Sequence, residues 1–287
     1  MLVFFGTSPN SAQFLELAQK NGLKVKLVVS APPKPVGRKR VLTENPTITQ
    51  AKTIGLDYLE ELKEIFSLPK PKIGIILDFN RLIPRSIIDH FEKGIVNIHF
   101  SRLPQYRGPA PVQATILNGD KEAWISYFLI TEKLDEGPIL SQTSLALNFT
   151  ETSESLCQKL IQKAAQESPQ IITDYLAGKI TPRPQKAQPS YTSKLTSSKA
   201  KIDWQKPAEE IEKLIRAAYP EPGAWTTIEL RTQKSEVKTL RLKILKAHLE
   251  NKKLVLDKVQ LEGKKPVTWK QFKEGYPKAS CSFLSFL

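Results

Sequence analysis

The first stretch of the chain constrains its fold more than any other. Leu2–Phe5 is a short apolar run that Gly6 ends at once, after which Ser8 and Pro9 supply a helix cap and a helix-compatible first turn. Phe14, Leu17 and Ala18 then form a helical stripe, Asn21–Gly22 stops it, and KVKLVVSA resumes as a strand. Strand, helix and strand in that order, with short apolar strands, predict a parallel sheet joined by a right-handed crossover. Further strands are predicted at KIGIILDF (72–79), GIVNIHF (94–100) and WISYFLI (124–130), with a helix in APVQATILNGD that ends at Asn118–Gly119. The fold class is therefore α/β: an open, mostly parallel sheet with helices on both faces. In such sheets ligands gather at the carboxyl ends of the strands.

A long helix is predicted from about Thr152 to Leu176, with Leu156, Leu160 and Ala164 on one face. TPRPQKAQPSYTSKLTSSKAK follows, rich in Pro, Ser, Thr and Lys, and reads as a linker. PAEEIEKLIRAAYP is an amphipathic helix, and the alternation in TLRLKI and KKLVLDKVQLEG predicts a small β-rich domain of barrel type. The expected division is a catalytic domain at 1–180, a linker at 181–200 and a basic domain at 201–287. Charge supports the distinction. Residues 191–287 hold 20 Lys/Arg against 11 Asp/Glu, a net of +9 out of the +14 of the whole chain. Such an excess suits a polyanion such as nucleic acid, and equally suits plain lysine enrichment for solubility.

Several classes are disfavoured. The two cysteines, Cys157 and Cys281, lie far apart and give no disulfide framework, so a reducing cytoplasm is expected. His90, His99 and His248 are scattered without metal-ligand spacing, so no metal is expected. MLVFFG lacks the basic flank of a signal peptide, and no window reaches the roughly 18 apolar residues of a membrane span. The turn after the first strand has one glycine where a dinucleotide site wants G-x-G-x-x-G, and the P-loop pattern is missing.

The chemistry-bearing stretch is NIHFSRLPQYRGPAP, residues 97–111. Asn97 and His99 are two apart on a predicted strand and so share a face. Alone, the pair reads as two hydrogen-bonded polar groups at a strand end. Asp135, in ITEKLDEGPIL after the next strand, changes that reading. An amide that donates to a developing oxyanion, an imidazole that moves protons and a carboxylate that orients it form a catalytic set. Ser101 lies in HFSRL rather than on a G-x-S-x-G elbow, which argues against a hydrolase triad.

NIHFSRLPQYRGPAPVQATILNGD together with KLDEGPIL resembles the folate-dependent formyltransferases, whose signature is Asn-x-His, Ser-Leu-Leu-Pro-x-Tyr/Trp-Arg-Gly and Leu-Asp-x-Gly. The likeness extends to LVFFGT at the start and to IDWQKPAEEIEKLIRAAYPEPGAW, which looks like the entry to the C-terminal domain of the branch that acts on tRNA. It implies a concrete reaction: 10-formyltetrahydrofolate gives its formyl group to the α-amine of methionyl initiator tRNA, in the service of translation initiation. By position, Asn97, His99 and Asp135 match the catalytic residues. Ser101, Arg102, Leu103 and Pro104 match the loop that contacts the folate. KPVGRKR (34–40) looks like a tRNA-contacting loop, with Lys34, Arg38, Lys39 and Arg40 as its cations. The resemblance implies a monomeric cytoplasmic enzyme without a metal.

The chain also departs from the pattern. Arg102 stands where relatives have leucine, LDFNRLIP (77–84) replaces an Ala-Tyr-Gly-like segment, and AWIS replaces Thr-Gly-Val-Thr. The C-terminal domain looks short. Two alternatives stay open at this level: formylation of an amino group on a nucleotide-linked sugar, and a tRNA-binding relative without catalysis.

Overall fold

The computed structural model describes residues 1–37, 40–231, 237–277 and 279. In chain order the first elements are β1 (Leu2–Phe5), α1 (Pro9–Lys20), β2 (Leu27–Val29), β3 (Lys34–Val36), β4 (Val41–Thr43), α2 (Pro46–Thr53), β5 (Asp57–Leu59) and β6 (Ile73–Ile76). Then come α3 (Arg85–Asp89), β7 (Ile95–His99), α4 (Pro111–Asn118), β8 (Glu122–Leu129), β9 (Ile139–Ala146) and α5 (Ser153–Leu176). The last are α6 (Ala208–Ala218), β10 (Ala224–Arg231), β11 (Val237–Glu250), β12 (Lys253–Leu261), β13 (Val267–Thr268) and α7 (Trp269–Gly275).

A seven-stranded sheet runs in the order β5-β2-β1-β6-β7-β8-β9. From β5 to β7 every pair is parallel, as the strand–helix alternation predicts. Its centre is dry: Val3, Phe4, Phe5, Ile73, Ile75, Ile95 and Val96 are fully buried. Each such side chain contributes about 1.5–3 kcal/mol relative to exposure. The first turn is fixed as the sequence suggests. Ser8 caps α1 by accepting from the Ser11 amide, Pro9 occupies the first turn, and a Cβ on Gly6 would lie 2.4 Å from that of Ser11.

The sheet is not parallel throughout. β8 runs antiparallel to β7, with Asn97 opposite Phe128 and His99 opposite Ser126. The loop that carries Asp135 therefore begins beside the amino end of β7, where the Ile130 amide donates to the Ile95 carbonyl. This differs from a set of three polar groups at neighbouring carboxyl ends.

The chain forms two compact units. The first comprises Met1–Pro111, Ala123–Leu145 and Cys157–Thr192, and holds the seven-stranded sheet. The second comprises Val112–Glu122, Ala146–Leu156 and the chain from Ser193 onward. Its core is an antiparallel sheet, β10-β11-β12-β13, packed against α6. Ile211, Ile215 and Ala218 make the buried stripe of α6 at helical spacing and meet Leu242, Ile244, Leu256 and Val259. Register shifts around Lys246 bend the long β11, giving the small domain its barrel-like curvature.

Candidate active site

In the first unit, Asn97 and His99 point from one face of β7, on the side also occupied by Phe128 and Ser126 of β8. The opposite face of β8 is structural. Tyr127 is fully buried there beneath α5, and burial with the nearby Glu167 charge pushes its phenol well above the usual tyrosine range. His99 meets the edge of Phe128 in a T-shaped contact, with ring centroids 6.4 Å apart.

The loop after β7 folds back over this face instead of projecting from the sheet edge. Ser126 pins it: its hydroxyl donates to the Ser101 carbonyl at 2.6 Å and accepts from the Leu103 amide at 3.1 Å. Gln142 on β9 donates to the Leu103 carbonyl and to the same hydroxyl. Leu103 then packs onto Phe128 and Ile139. Ser101 is buried and its own hydroxyl donates to the Gln105 carbonyl at 2.6 Å, so it shapes the loop from within. Pro104 is buried as well, whereas Arg102 is exposed and lays its guanidinium 4.5 Å over the Trp124 ring.

The fold-back ties two of the predicted polar groups, His99 and Asp135, to one loop. His99 Nε2 lies 3.0 Å from the Tyr106 carbonyl oxygen. A carbonyl only accepts, so this bond puts the proton on Nε2 and leaves the Nδ1 lone pair for chemistry. Two residues on, the Gly108 amide donates to Asp135 Oδ2 at 2.7 Å. His99 and Asp135 are thus held by the same short loop rather than by each other. Both are only 8% exposed. Asn97 is half-buried, and among the described residues its side-chain amide has no hydrogen-bond partner. Such an amide beside an imidazole and a carboxylate can donate to an oxygen that gains charge, while the other two handle protons.

The Asp135 loop has supports that sequence reasoning missed. Gln185 donates through Nε2 to the carbonyls of Asp135 and Gly137, at 2.8 and 2.9 Å. Its Oε1 accepts from Arg107 Nε and Nη2, at 3.2 and 2.7 Å. Arg107, buried, also pairs with Glu136 at 2.9 Å. Gly137 is required by close approach, since a Cβ there would lie 1.6 Å from the Leu129 carbonyl oxygen. The segment that carries Gln185 continues along the outside of the loop. Tyr106 donates its amide to the Ser190 hydroxyl, Arg107 donates its amide to the Ser190 carbonyl, and Thr192 donates its amide to Arg107. No periodicity marks Gln185, but Arg107 and Glu136 lie inside the two quoted motifs, where their charges are a signal.

Elsewhere the predicted positions are dispersed. Lys34 lies on β3 and Arg40 in the turn before β4, both exposed, on a two-stranded hairpin that forms a sheet of its own. Arg38 and Lys39 lie outside the described residues, as does most of the apolar tail ASCSFLSFL. The LDFNRLIP segment is anchored to the first turn: the Asp78 carbonyl accepts from the Thr7 amide and hydroxyl and from the Ser11 hydroxyl. Among the described residues no group of acidic, His or Cys side chains has the makings of a metal site, and no helix is long and apolar enough to cross a membrane.

Residues 1–172 match the sequence profile of the formyl transferase family, and residues 194–254 match that of the formyl transferase C-terminal domain. The chain belongs to the formyl transferase family. It is 33% identical over 246 residues to the methionyl-tRNA formyltransferase of Paenarthrobacter aurescens, covering 84% of this chain and 80% of that one. It is 32% identical over 236 residues to the protein of the same name from Thermodesulfovibrio yellowstonii, covering 79% and 76%. Among solved structures the fold is shared with a methionyl-tRNA formyltransferase from Clostridium thermocellum, at a TM-score of 0.59 and 19% identity, over 91% of this chain and 97% of that one. It is shared too with an N-formyltransferase from Helicobacter canadensis in complex with folinic acid and dTDP-3-aminofucose, at a TM-score of 0.66 and 20% identity, over 93% and 98%.

Proposed function

We propose that this chain transfers the formyl group of 10-formyltetrahydrofolate to the α-amine of methionyl initiator tRNA, with Asn97, His99 and Asp135 as its catalytic residues. The observation that carries the chemistry is the half-buried Asn97 amide, without a hydrogen-bond partner among the described residues, on the same strand face as His99, whose loop also holds the carboxylate of Asp135. The folate supplies an activated formyl group. Amine attack on it builds charge on the formyl oxygen, and the Asn97 amide donates to that oxygen. His99, fixed by the Tyr106 carbonyl, works at Nδ1, and Asp135 takes the proton that the amine sheds through the oxygen Gly108 leaves free. Collapse of the tetrahedral intermediate breaks the bond from the formyl carbon to N10 of the folate, and N10 takes up a proton as it leaves, so that tetrahydrofolate and the formylated amine are the products. No covalent enzyme intermediate is needed. The one nucleophilic thiol described, Cys157, is kept neutral, because burial pushes its pKa up to about 12.

The loop Ser101, Arg102, Leu103 and Pro104 is assigned to the folate donor, with Ser101 acting by shaping the loop and the other three by contact. Residues 1–180 form the catalytic part, 181–200 a linker and 201–287 a tRNA-binding part. Lys34 and Arg40 on the exposed hairpin, together with Arg38 and Lys39 of the same sequence motif, take RNA phosphates. The Arg241 guanidinium, 4.1 Å over the Trp225 ring, adds a fixed cation in the second unit. The enzyme is taken to act as a cytoplasmic monomer. The +14 net charge and the identity to named tRNA enzymes favour RNA over a nucleotide-linked amino sugar as acceptor. A competition assay that offers methionyl-tRNA and an amino-sugar nucleotide together, with labelled formyl donor, decides between them. Label is expected in the tRNA and to fall steeply as salt rises; label in the sugar alone overturns the reading.

A further inference from the structure

The second unit holds a cavity of about 280 Å³ on the face of its sheet opposite the buried Leu242 and Ile244. Strand register builds it. Trp225 lies opposite Lys243 and Lys243 opposite Gln260, so the three form one row across β10, β11 and β12, and Arg241 shares their face two residues along β11. The indole is fixed twice: its Nε1 donates to the Ser197 carbonyl at 2.7 Å, and its ring carries the Arg241 guanidinium at 4.1 Å. Arg241 is exposed and forms no ion pair among the described residues, so one face of its plane rests on the indole and the other is open to the cavity. The rest of the rim accepts hydrogen bonds. Glu262 uses Oε2 on the Arg241 amide at 3.2 Å, and Gln260 donates its Nε2 to the Lys264 carbonyl at 2.9 Å. Glu262 Oε1 and Gln260 Oε1 remain as acceptors, beside the Lys243 ammonium, which the Glu221 carboxylate meets at 3.7 Å. A guanidinium plane backed by an aromatic ring, with acceptors at its edge and a cation alongside, matches a flat base with N–H donors and a nearby phosphate. The volume falls just under the roughly 300 Å³ at which drug-sized sites begin, and suits a single base.

We infer that this cavity binds one unpaired guanine nucleotide, with the base stacked on Arg241, its pairing edge on Glu262 and Gln260, and its phosphate on Lys243. Guanine sets two donors, N1–H and N2–H, side by side on its pairing edge, and acceptors alone satisfy them. Adenine, cytosine and uracil each set an acceptor beside a donor, which an all-acceptor rim repels. In a paired stem that edge is occupied, so the base comes from a loop, a bulge or a single-stranded end of an RNA, or from a free guanine nucleotide. Such a site reads a base, unlike the phosphate contacts of a basic surface. For an RNA source it rests on the reading of the second unit given above.

The test is binding of the full-length protein to two single-stranded RNA oligonucleotides, one of uridines alone and one with a single central guanosine. The guanosine strand is expected to bind about ten-fold tighter, and annealing it to its complement should remove the preference. Glu262→Gln keeps an oxygen for the Arg241 amide but sets a donor in the rim. It should bring the two strands within about three-fold while the all-uridine strand binds as before, which marks base reading rather than unfolding. Arg241→Lys keeps the charge and loses the plane, so the guanosine strand should lose about five-fold or more. Displacement of that strand by guanosine monophosphate, and not by uridine monophosphate, extends the site to free nucleotides; displacement by neither confines it to RNA. Equal affinity for the two strands, or a guanosine preference that survives Glu262→Gln, overturns the pocket alone. Failure to bind either strand or methionyl-tRNA overturns the RNA reading of the second unit as well.

Discussion

Replacing Gln185 with leucine removes the four contacts through which one side chain holds the Asp135 loop. Two are neutral bonds to the Asp135 and Gly137 carbonyls, worth about 1 kcal/mol each, and two come from the Arg107 guanidinium, worth roughly 1.5–3 kcal/mol together. Packing of the leucine returns part of this, leaving a loss of about 3 kcal/mol, or roughly 6–12 °C in the melting midpoint of the first unit. The larger effect falls on rate. Asp135 and Gly137 are buried, and freeing their carbonyls lets the carboxylate drift from the Gly108 amide. A displacement of about 1 Å at a reacting group costs on the order of a hundred-fold in kcat. Two measurements on the purified protein check this: formylation kinetics resolved into kcat and KM, and hydrogen exchange at the Gly108 amide. The expected outcome is a fall in kcat with faster exchange at Gly108. Gln185→Glu is the informative companion. It keeps an acceptor for Arg107 but sets a carboxylate against two carbonyls, so more stability than activity should survive. A leucine variant with kcat within about three-fold of normal and unchanged exchange at Gly108 refutes the positioning role.

Three further outcomes are expected. Gly137→Ala places a Cβ 1.6 Å from the Leu129 carbonyl oxygen, so the hairpin must open; thermal melting should show a loss of at least about 1–3 kcal/mol, together with loss of activity. His99→Ala and Asp135→Asn should each lower kcat on the order of a hundred-fold or more while the protein still binds folate, and near-normal turnover in both would remove them from the mechanism. Cys157, studied in a Cys281→Ser background, should alkylate far more slowly in the native protein than in denaturant at pH 8.5, because the folded thiol keeps its proton to about pH 12 against an ordinary 9.0. Between those two values the unfolded state binds fewer protons than the folded one, so this group makes stability fall as pH rises; a denaturation series that is flat from pH 9 to 11 in the protein but sloped in Cys157→Ala contradicts it.

What the sequence made legible follows from its periods. The two-residue period of a strand placed Asn97 and His99 on one face, and the apolar runs around them predicted buried parallel strands, as β1, β6 and β7 are. Asp135 was legible by residue type and position after a strand. Its mode of attachment was not, because the loop's path depends on the Ser126 hydroxyl, a single small group in the middle of β8 that no pattern distinguishes. Gln185 was hidden for a different reason. It sits among prolines and lysines whose composition reads as linker, and its four contacts all go to residues about 50 to 80 positions away. Arg102 lay in plain view as a departure, and only the Trp124 ring beneath it gives it a physical setting.

The seam between residues 185–192 and the loop at 105–108 also has a mechanical side. The chain leaves the first unit for the last time at Thr192, whose amide is bonded to the Arg107 carbonyl, next to the peptide that holds His99. A pull on the backbone at residue 193 therefore bears on the rim of the candidate site, through the bond from Thr192 to Arg107. This last of the chain's passages between the two units is in this sense a strain gauge. Tension along it is read at the imidazole and the carboxylate within a few bonds.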